Sequence, residues 1–173
     1  MTKQRTSVVF CLIMASLGCG ERRPASDAES STLSRTSADS SFAQLQARGR
    51  TAMGVDQYTS RHQFESLPDG GRITLTRDSA DTAGGAQIRA HMAEIAASFR
   101  QGNFDLPGFV HDREVPGTAV MRARRAHISY LPDSAPGGGQ LRISSQDPVA
   151  VAAVHEFLAF QRRDHRAGDH THP

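Results

Sequence analysis

The sequence predicts an α+β domain built from a duplicated β-β-α unit, with a four-stranded antiparallel sheet and two helices on one face. Three patterns indicate this fold. Two segments show strand-like alternation around turns rich in Pro, Asp and Gly, and each is followed by apolar residues at helical spacing. Each helical pattern begins at a residue that favours a helix N-terminus. Because only one face of each strand is apolar, the helices should cover a single face of the sheet.

The first unit begins with the segment FESLPDGGRITLTRDSADT, residues 64–82. Its turn is predicted at Leu67-Pro68-Asp69, before a strand of alternating apolar residues. A helix is expected after Asp81-Thr82, because either side chain can cap the free N–H groups. Gly102 is placed to end that helix. The apolar stripe of the helix consists of Ile88, Met92, Ile95 and Phe99.

The second unit begins with ISYLPDSAPGGGQLRISSQDP, residues 128–148. Its Leu131-Pro132-Asp133 matches the first turn, and the glycines and apolar positions that follow match as well. The second turn holds three more residues, so a looser loop is expected. Asp147-Pro148 predicts a second helix start. The matching pairs are Gly70-Gly71 with Gly138-Gly139, Ile73 with Leu141, and Leu75 with Ile143; the second helical stripe is Val151, Val154 and Leu158 with Phe157 or Gln161.

Two segments between the units are less regular. Residues 103–119 contain two prolines and are expected to form a long connection, either functional or simply crossing the sheet. Arg122 and Arg124 are then predicted on one face of a strand, near His127. There they are either solvated or able to hold an anion.

The N-terminal residues 1–18 are predicted to be a signal peptide. Lys3 and Arg5 precede a short apolar run from Ser7 to Leu17, and small residues follow it. An apolar run of that length is too short to span a bilayer, which takes about 20 residues.

Cys19 poses a choice between two kinds of processing. The segment SLGCG is similar to the cleavage region of bacterial lipoproteins, in which the cysteine is lipidated at the new N-terminus and anchors the protein to a membrane. Ordinary cleavage after Gly18 or Gly20 also fits, because small residues stand at the required spacing. The second alternative gives a soluble secreted protein. Either one places the chain outside the cytoplasm.

The remaining boundaries follow from composition. Residues 19–52 are rich in Ser, Ala and charged residues and are predicted to be a disordered linker or lipid tether. Residues 53–166 form the predicted domain, and 167–173 a disordered histidine-rich tail. Loss of residues 1–18 removes Lys3 and Arg5 from the 20 basic residues, which leaves 18 against 18 acidic ones. This balance gives no support for a nucleic-acid partner.

The motifs that remain do not predict catalysis. Cys11 lies in the predicted leader, so only Cys19 remains and neither a disulfide nor a cysteine-based site can form. The predicted mature chain contains no lysine and no Gly-x-Ser-x-Gly motif. The glycines follow turn residues and do not form a phosphate-binding loop.

Eight histidines are the main candidates for binding. Imidazole is a common ligand of copper and zinc, so a transition metal is the leading candidate for a bound species. His62, His91 and His155 lie at or beside apolar stripes and could converge on a buried site. Alternatively, each is a partly buried histidine with one hydrogen bond. In the tail, His165, His170 and His172 could chelate a metal, or they form a solvated polar end.

A family resemblance accompanies these patterns. The runs GGRITLTRDSADTAGGAQIRAHMAEIAASFRQGNF, LPGFVHDREVPGTAVM and DPVAVAAVHEFLAFQRRDHRAGD resemble a family of small uncharacterised bacterial secreted proteins, over roughly residues 53–169. Members are sometimes labelled aspartate carbamoyltransferase. The transferase loop has the pattern Ser-x-Arg-Thr, and the nearest match here is Leu33-Ser34-Arg35-Thr36, inside the predicted linker. The resemblance implies a domain and a location, but no activity.

Three functions remain open from the sequence. The first is a non-enzymatic extracytoplasmic protein that binds a transition metal, copper or zinc, or another small ligand. The second is a cell-envelope interaction module, which needs an exposed apolar patch or an open sheet edge. The third is a small enzyme that uses His111 beside Asp112 and Glu114.

Overall fold

A computed structural model describes residues 26–54 and 58–167, with side chains from residue 35 onward. Its sheet lies under two helices of 19 and 17 residues, and the chain also forms a longer N-terminal helix and two short helices. None of the described helices is long and apolar enough to cross a membrane. The elements are α1 (Ser26–Met53), β1 (Arg61–Leu67), β2 (Gly70–Thr76), α2 (Thr82–Arg100), α3 (Asp105–His111), α4 (Thr118–Ala123), a 3₁₀ turn (Arg125–His127), β3 (Ile128–Ala135), β4 (Gly138–Ser145) and α5 (Pro148–Asp164).

The four strands form one antiparallel sheet in the order β1-β2-β4-β3. The two hairpins meet where β2 pairs with β4, and Ile73 lies opposite Leu141 at that seam. The predicted α+β class, with a four-stranded antiparallel sheet and helices, is therefore confirmed. Strands β1 and β3 are the two edges.

The second hairpin turns at a different place from the predicted one. Its turn is Pro136-Gly137, and Leu131-Pro132-Asp133 lies within β3. The expected looser loop is therefore wrong. Gly137 has a φ of +71°, which glycine adopts without strain. Pro132 is tolerated in β3 because an edge strand leaves a position where no N–H is needed.

Helices α2 and α5 start where predicted, and α2 also stops where predicted. The carboxylate of Asp81 accepts a hydrogen bond from the N–H of Gly84 at 2.9 Å, and Asp147 accepts one from Val149 at 2.9 Å. Gly102, with a φ of +77°, follows the end of α2. Helix α2 packs on β3 and β4, whereas α5 packs mainly on β1 and β2.

The core lies between the sheet and these two helices. Most of the predicted stripe residues are buried, while Ile95 and Val151 are half-buried. Burying one such side chain stabilises the fold by about 1.5–3 kcal/mol. The largest fully buried side chains are Tyr130, Phe157, Leu75, Ile88, Met92, Met121, Leu141, Ile143, Leu158 and Val154.

The connection between the units is more helical than predicted. Helix α3 occupies part of residues 103–119, and α4 begins inside them. Arg122 lies in α4 and Arg124 just after it, so the prediction that both lie on a strand is wrong. These helices have 7 and 6 residues, too few for a periodic apolar pattern to emerge.

Helix α1 contradicts the predicted disorder of residues 19–52 from Ser26 onward. Leu45 and Gln46 are buried, and α1 packs against α3. The Nε of Arg48 donates a hydrogen bond to the carbonyl of Val110 at 2.8 Å. Tertiary contacts of this kind can hold a helix whose own composition is polar. The predicted signal peptide, Cys19 and the tail from residue 168 lie outside the described residues.

Candidate functional site

An apolar cavity lies beside the core, between α1, the sheet, α2, α3 and the C-terminal part of α5. The centre of a water-sized sphere can occupy about 90 Å³ of it. A single water needs roughly 10–15 Å³ on this measure, so the cavity has room for several waters or a small organic molecule. Among the described residues, the polar side chains that line it are His62, His111, Gln161 and His165.

Three imidazole rings meet at this cavity. The ring centroid of His165 lies 5.0 Å from that of His62, in a stacked arrangement. It lies 5.1 Å from the His111 centroid, and those two rings are almost perpendicular. His62 comes from β1, His111 from the last residue of α3, and His165 from the residue after α5. The site therefore joins three elements that are distant in sequence.

His111 is held on both sides of its ring. Its Nδ1 hydrogen-bonds the carboxylate of Asp164, and its Nε2 lies 2.8 Å from Oε1 of Gln161. The side chain of His111 is almost fully buried, whereas that of Asp164 is 26% exposed. Because both partners lie at the end of α5, they fix the ring as a wall of the cavity.

His62 and His165 are held in the neutral form. Burial lowers the pKa of His62 to about 4. Burial also lowers the pKa of His165 well below its usual value, and the neighbouring His62 and His111 lower it further. The Nδ1 of His165 is shielded from solvent and has no hydrogen-bond partner among the described residues. An unpaired buried group of this kind costs about 1–3 kcal/mol unless a water or ligand pairs with it.

The predicted convergence of His62, His91 and His155 is wrong. The Nε2 of His155 lies 2.8 Å from the carbonyl oxygen of Leu67, and His155 does not line the cavity. His91 is buried beside Glu94, with 3.5 Å between Nδ1 and the carboxylate. Burial lowers the pKa of His91, although Glu94 opposes the shift.

The histidine cluster does not have the geometry of a metal centre. Within residues 35–54 and 58–167, no group of three or more His, Cys, Asp or Glu side chains is arranged to hold a metal ion. The stacked rings of His62 and His165 face one another, whereas a metal must lie in the plane of each ligand ring. His170 and His172 lie outside the described residues, so metal binding by the tail stays a prediction.

Comparisons with known proteins give no further guide: no family model, no curated protein and no solved structure matches the chain. The resemblance to small secreted bacterial proteins therefore stays a prediction. Leu33-Ser34-Arg35-Thr36 lies inside α1. It is away from the start of that helix, where an anion could meet free N–H groups.

Sequence reasoning missed how His111, Gln161 and His165 come together. The sequence indicates His111 only as part of a catalytic loop and places His165 in the tail. One pattern could have linked two of them, because Phe157, Gln161 and His165 are spaced four residues apart and share a helix face. The contact of His165 with His62 joins opposite ends of the predicted domain, and no spacing rule reaches that far.

Proposed function

We propose that the protein is an extracytoplasmic binding protein that holds a small, largely apolar molecule in the histidine-lined cavity. One observation carries this proposal. An apolar cavity contains the ring of His165, whose buried Nδ1 has no partner among the described residues. A ligand with one polar group would satisfy that nitrogen, and its apolar body would replace water against the walls.

The chemistry of the walls favours a neutral ligand surface inside the cavity. Phe64, Met92 and Phe99 are among the apolar lining residues. The depressed pKa values of His62 and His165 mean that neither ring brings a charge at neutral pH. A hydroxyl or carbonyl group on the ligand suits such a site, because a buried polar group is stable only when it is hydrogen-bonded.

Binding is better supported than catalysis. Among the described lining residues there is no Ser, Thr, Cys, Lys, Asp or Glu to act as nucleophile or general acid. Both ring nitrogens of His111 are already engaged, by Asp164 and Gln161. A transition metal, copper or zinc, has less support as the ligand, because the rings of His62 and His165 are stacked.

The location outside the cytoplasm rests on the leader-like pattern of residues 1–18. Lipidation at Cys19 would anchor the protein to a membrane, and the segment before Leu45 would separate the cavity from the anchor. This part of the proposal is tested by metabolic labelling with a palmitate analogue. A Cys19→Ser variant should lose the label and leave the membrane fraction.

The cavity is tested with toluene and benzyl alcohol, two molecules with the same ring and different polarity. We expect both to bind the full chain, and benzyl alcohol to bind more tightly because its hydroxyl can pair with His165. In a His165→Phe variant, the preference for benzyl alcohol should disappear. Chemical shifts of backbone amides along β1 and α5 report the binding.

A matched pair of substitutions locates the bound molecule. Leu106 lines the cavity, whereas Leu131 is 57% exposed elsewhere. Leu106→Phe should weaken toluene binding by filling space, and Leu131→Phe should not. Failure of both molecules to shift any cavity resonance of the unaltered chain would refute the proposed function.

A further inference from the structure

A second, polar groove lies next to the cavity. It runs between α1, the residues after α3 and the C-terminal end of α5, with about 480 Å³ open to the centre of a water-sized sphere. Its charged side chains are four guanidinium groups and two carboxylates: Arg48, Arg113, Arg163, Arg166, Asp112 and Asp164. We call it the arginine groove.

The charges of the arginine groove are not balanced. Arg166 pairs with Asp39 at 3.0 Å and lies over the ring of Phe42. Within the described part of the chain, Arg48, Arg113 and Arg163 form no ion pair. Among the carboxylates, Asp164 is already engaged by His111. The groove therefore presents an excess of positive charge.

Two of the positive side chains, those of Arg48 and Arg113, are also held in place by contacts that leave their charge unmatched. Arg48 donates from Nε to the carbonyl of Val110 at 2.8 Å, a neutral acceptor. The guanidinium of Arg113 lies 5.5 Å from the centroid of the Phe160 ring. A guanidinium group fixed in this way loses less freedom when it binds an anion.

The cavity and the arginine groove share a wall. His111 lines both. The same elements serve both sides, since α1 contributes Gly49 to the cavity and Arg48 to the groove. At the end of α5, His165 faces the cavity and Arg166 lines the groove. An apolar space and a cationic space therefore lie on the two sides of one side chain, and a ligand that occupies both must pass the edge of the His111 ring.

From this juxtaposition we infer that the ligand is an amphiphilic organic anion, with its apolar body in the cavity and its anionic head among the arginines. This inference rests on the proposed function and adds the class of ligand. Carboxylate and phosphate heads share the needed chemistry, because guanidinium groups pair with both through two parallel hydrogen bonds. The body must be short, because the cavity is small.

Calorimetric titration of the full chain with three benzyl compounds tests the inference. Phenylacetate carries a carboxylate, benzyl phosphate carries a phosphate, and benzyl alcohol is the neutral reference. We expect at least one anion to bind about tenfold more tightly than the alcohol at low salt, with the advantage shrinking as ionic strength rises. The tighter of the two anions identifies the head group.

Two double variants separate the groove from the overall charge of the protein. Arg113→Gln with Arg163→Gln removes two groove charges and should weaken binding of the anion at least about fivefold, while leaving benzyl alcohol unaffected. Arg61→Gln with Arg125→Gln removes two exposed charges that do not line the groove. That control should leave the affinity for the anion nearly unchanged.

The outcomes distinguish this inference, that the ligand is an anion, from the proposed function, that the cavity binds a small molecule. If benzyl alcohol binds as tightly as both anions, the inference is overturned and the cavity function stands. Equal weakening by both double variants also overturns it, because the effect is then one of net charge. If none of the three compounds binds, and toluene does not bind either, both proposals fail together.

Discussion

The carboxylate of Asp164 hydrogen-bonds Nδ1 of His111, and this bond ties the end of α5 to the end of α3. The two residues are 53 positions apart in sequence. His111 is almost fully buried, so the orientation of its ring depends on its two hydrogen-bond partners, Asp164 and Gln161. Because His111 lines both the cavity and the arginine groove, this contact shapes both.

Replacing Asp164 with asparagine should therefore destabilise the fold. The amide keeps the shape but loses the charge that favours the hydrogen bond, at a cost of about 1–3 kcal/mol in the free energy of unfolding. Urea denaturation measures the change. Asp133→Asn is the control, because Asp133 is exposed on β3. Equal stability of the two variants would show that the His111–Asp164 bond contributes nothing.

Acid should destabilise the protein through its neutral histidines. The pKa of His62 is about 4 in the folded chain and 6.5 ordinarily, so the unfolded chain binds more protons between these values. The contribution of His62 to the free energy of unfolding is therefore complete above pH 6.5, and it is lost as the pH falls from 6.5 towards 4. His62 alone accounts for at most about 3 kcal/mol, and His165 acts in the same direction.

Substitution of His62 by phenylalanine should flatten that dependence while keeping an aromatic ring against His165. Urea denaturation at several pH values from about 7.5 to about 4.5 gives the slope. His127→Gln serves as the matched control, since His127 is exposed. If the His62→Phe variant keeps the same slope of unfolding free energy against pH, protonation of groups other than His62 causes the loss of stability in acid.

Gly137→Ala should destabilise the second hairpin. Gly137 has a φ of +71°, and an added Cβ would clash with the carbonyl of Arg77. We expect a loss of about 1–3 kcal/mol in the free energy of unfolding. Gly108→Ala is the comparison, because the nearest atom to its Cβ would be 3.6 Å away, an ordinary contact. If Gly137→Ala leaves the free energy of unfolding unchanged, the turn does not lie at Pro136-Gly137.

Leu45→Ala should loosen α1. Leu45 is 4% exposed and lies where α1 packs on the body of the protein. Removing its buried side chain should cost about 2–5 kcal/mol and speed amide hydrogen exchange along α1. Gln44→Ala alters the exposed neighbour and should do neither. Slow exchange in both variants would mean that other contacts hold α1.

The parts of the fold that the sequence predicted correctly carry strong local patterns. Helices α2 and α5 have capping carboxylates and long apolar stripes, and both begin where Asp81 and Asp147 indicated. The second turn was mispredicted because Leu131-Pro132-Asp133 resembles the first turn. A local match cannot reveal that Pro132 sits in an edge strand, where proline is allowed.

Helix α1 and the cavity depend on contacts that no local pattern contains. The segment around Leu45 has a polar composition, and its helix is held from outside by α3 and by the bond from Arg48 to Val110. The sequence predicts His62 and His165 as candidate metal ligands in two separate groups. Their stacking arises from the sheet and the last turn of α5 meeting in space.

The crossed packing of α2 and α5 has a consequence for how the chain folds. Helix α2 lies over β3 and β4, which follow it in sequence, and α5 returns to cover β1 and β2. In a chain that ends after α2, this helix lacks β3 and β4, on which it packs. The hairpin of β1 and β2 lacks α5, which buries its apolar face. Neither half can bury its apolar face by itself, so native structure must await synthesis of the C-terminal third. Until then the apolar faces of α2 and of the first hairpin stay exposed to water, because the elements that cover them are still missing.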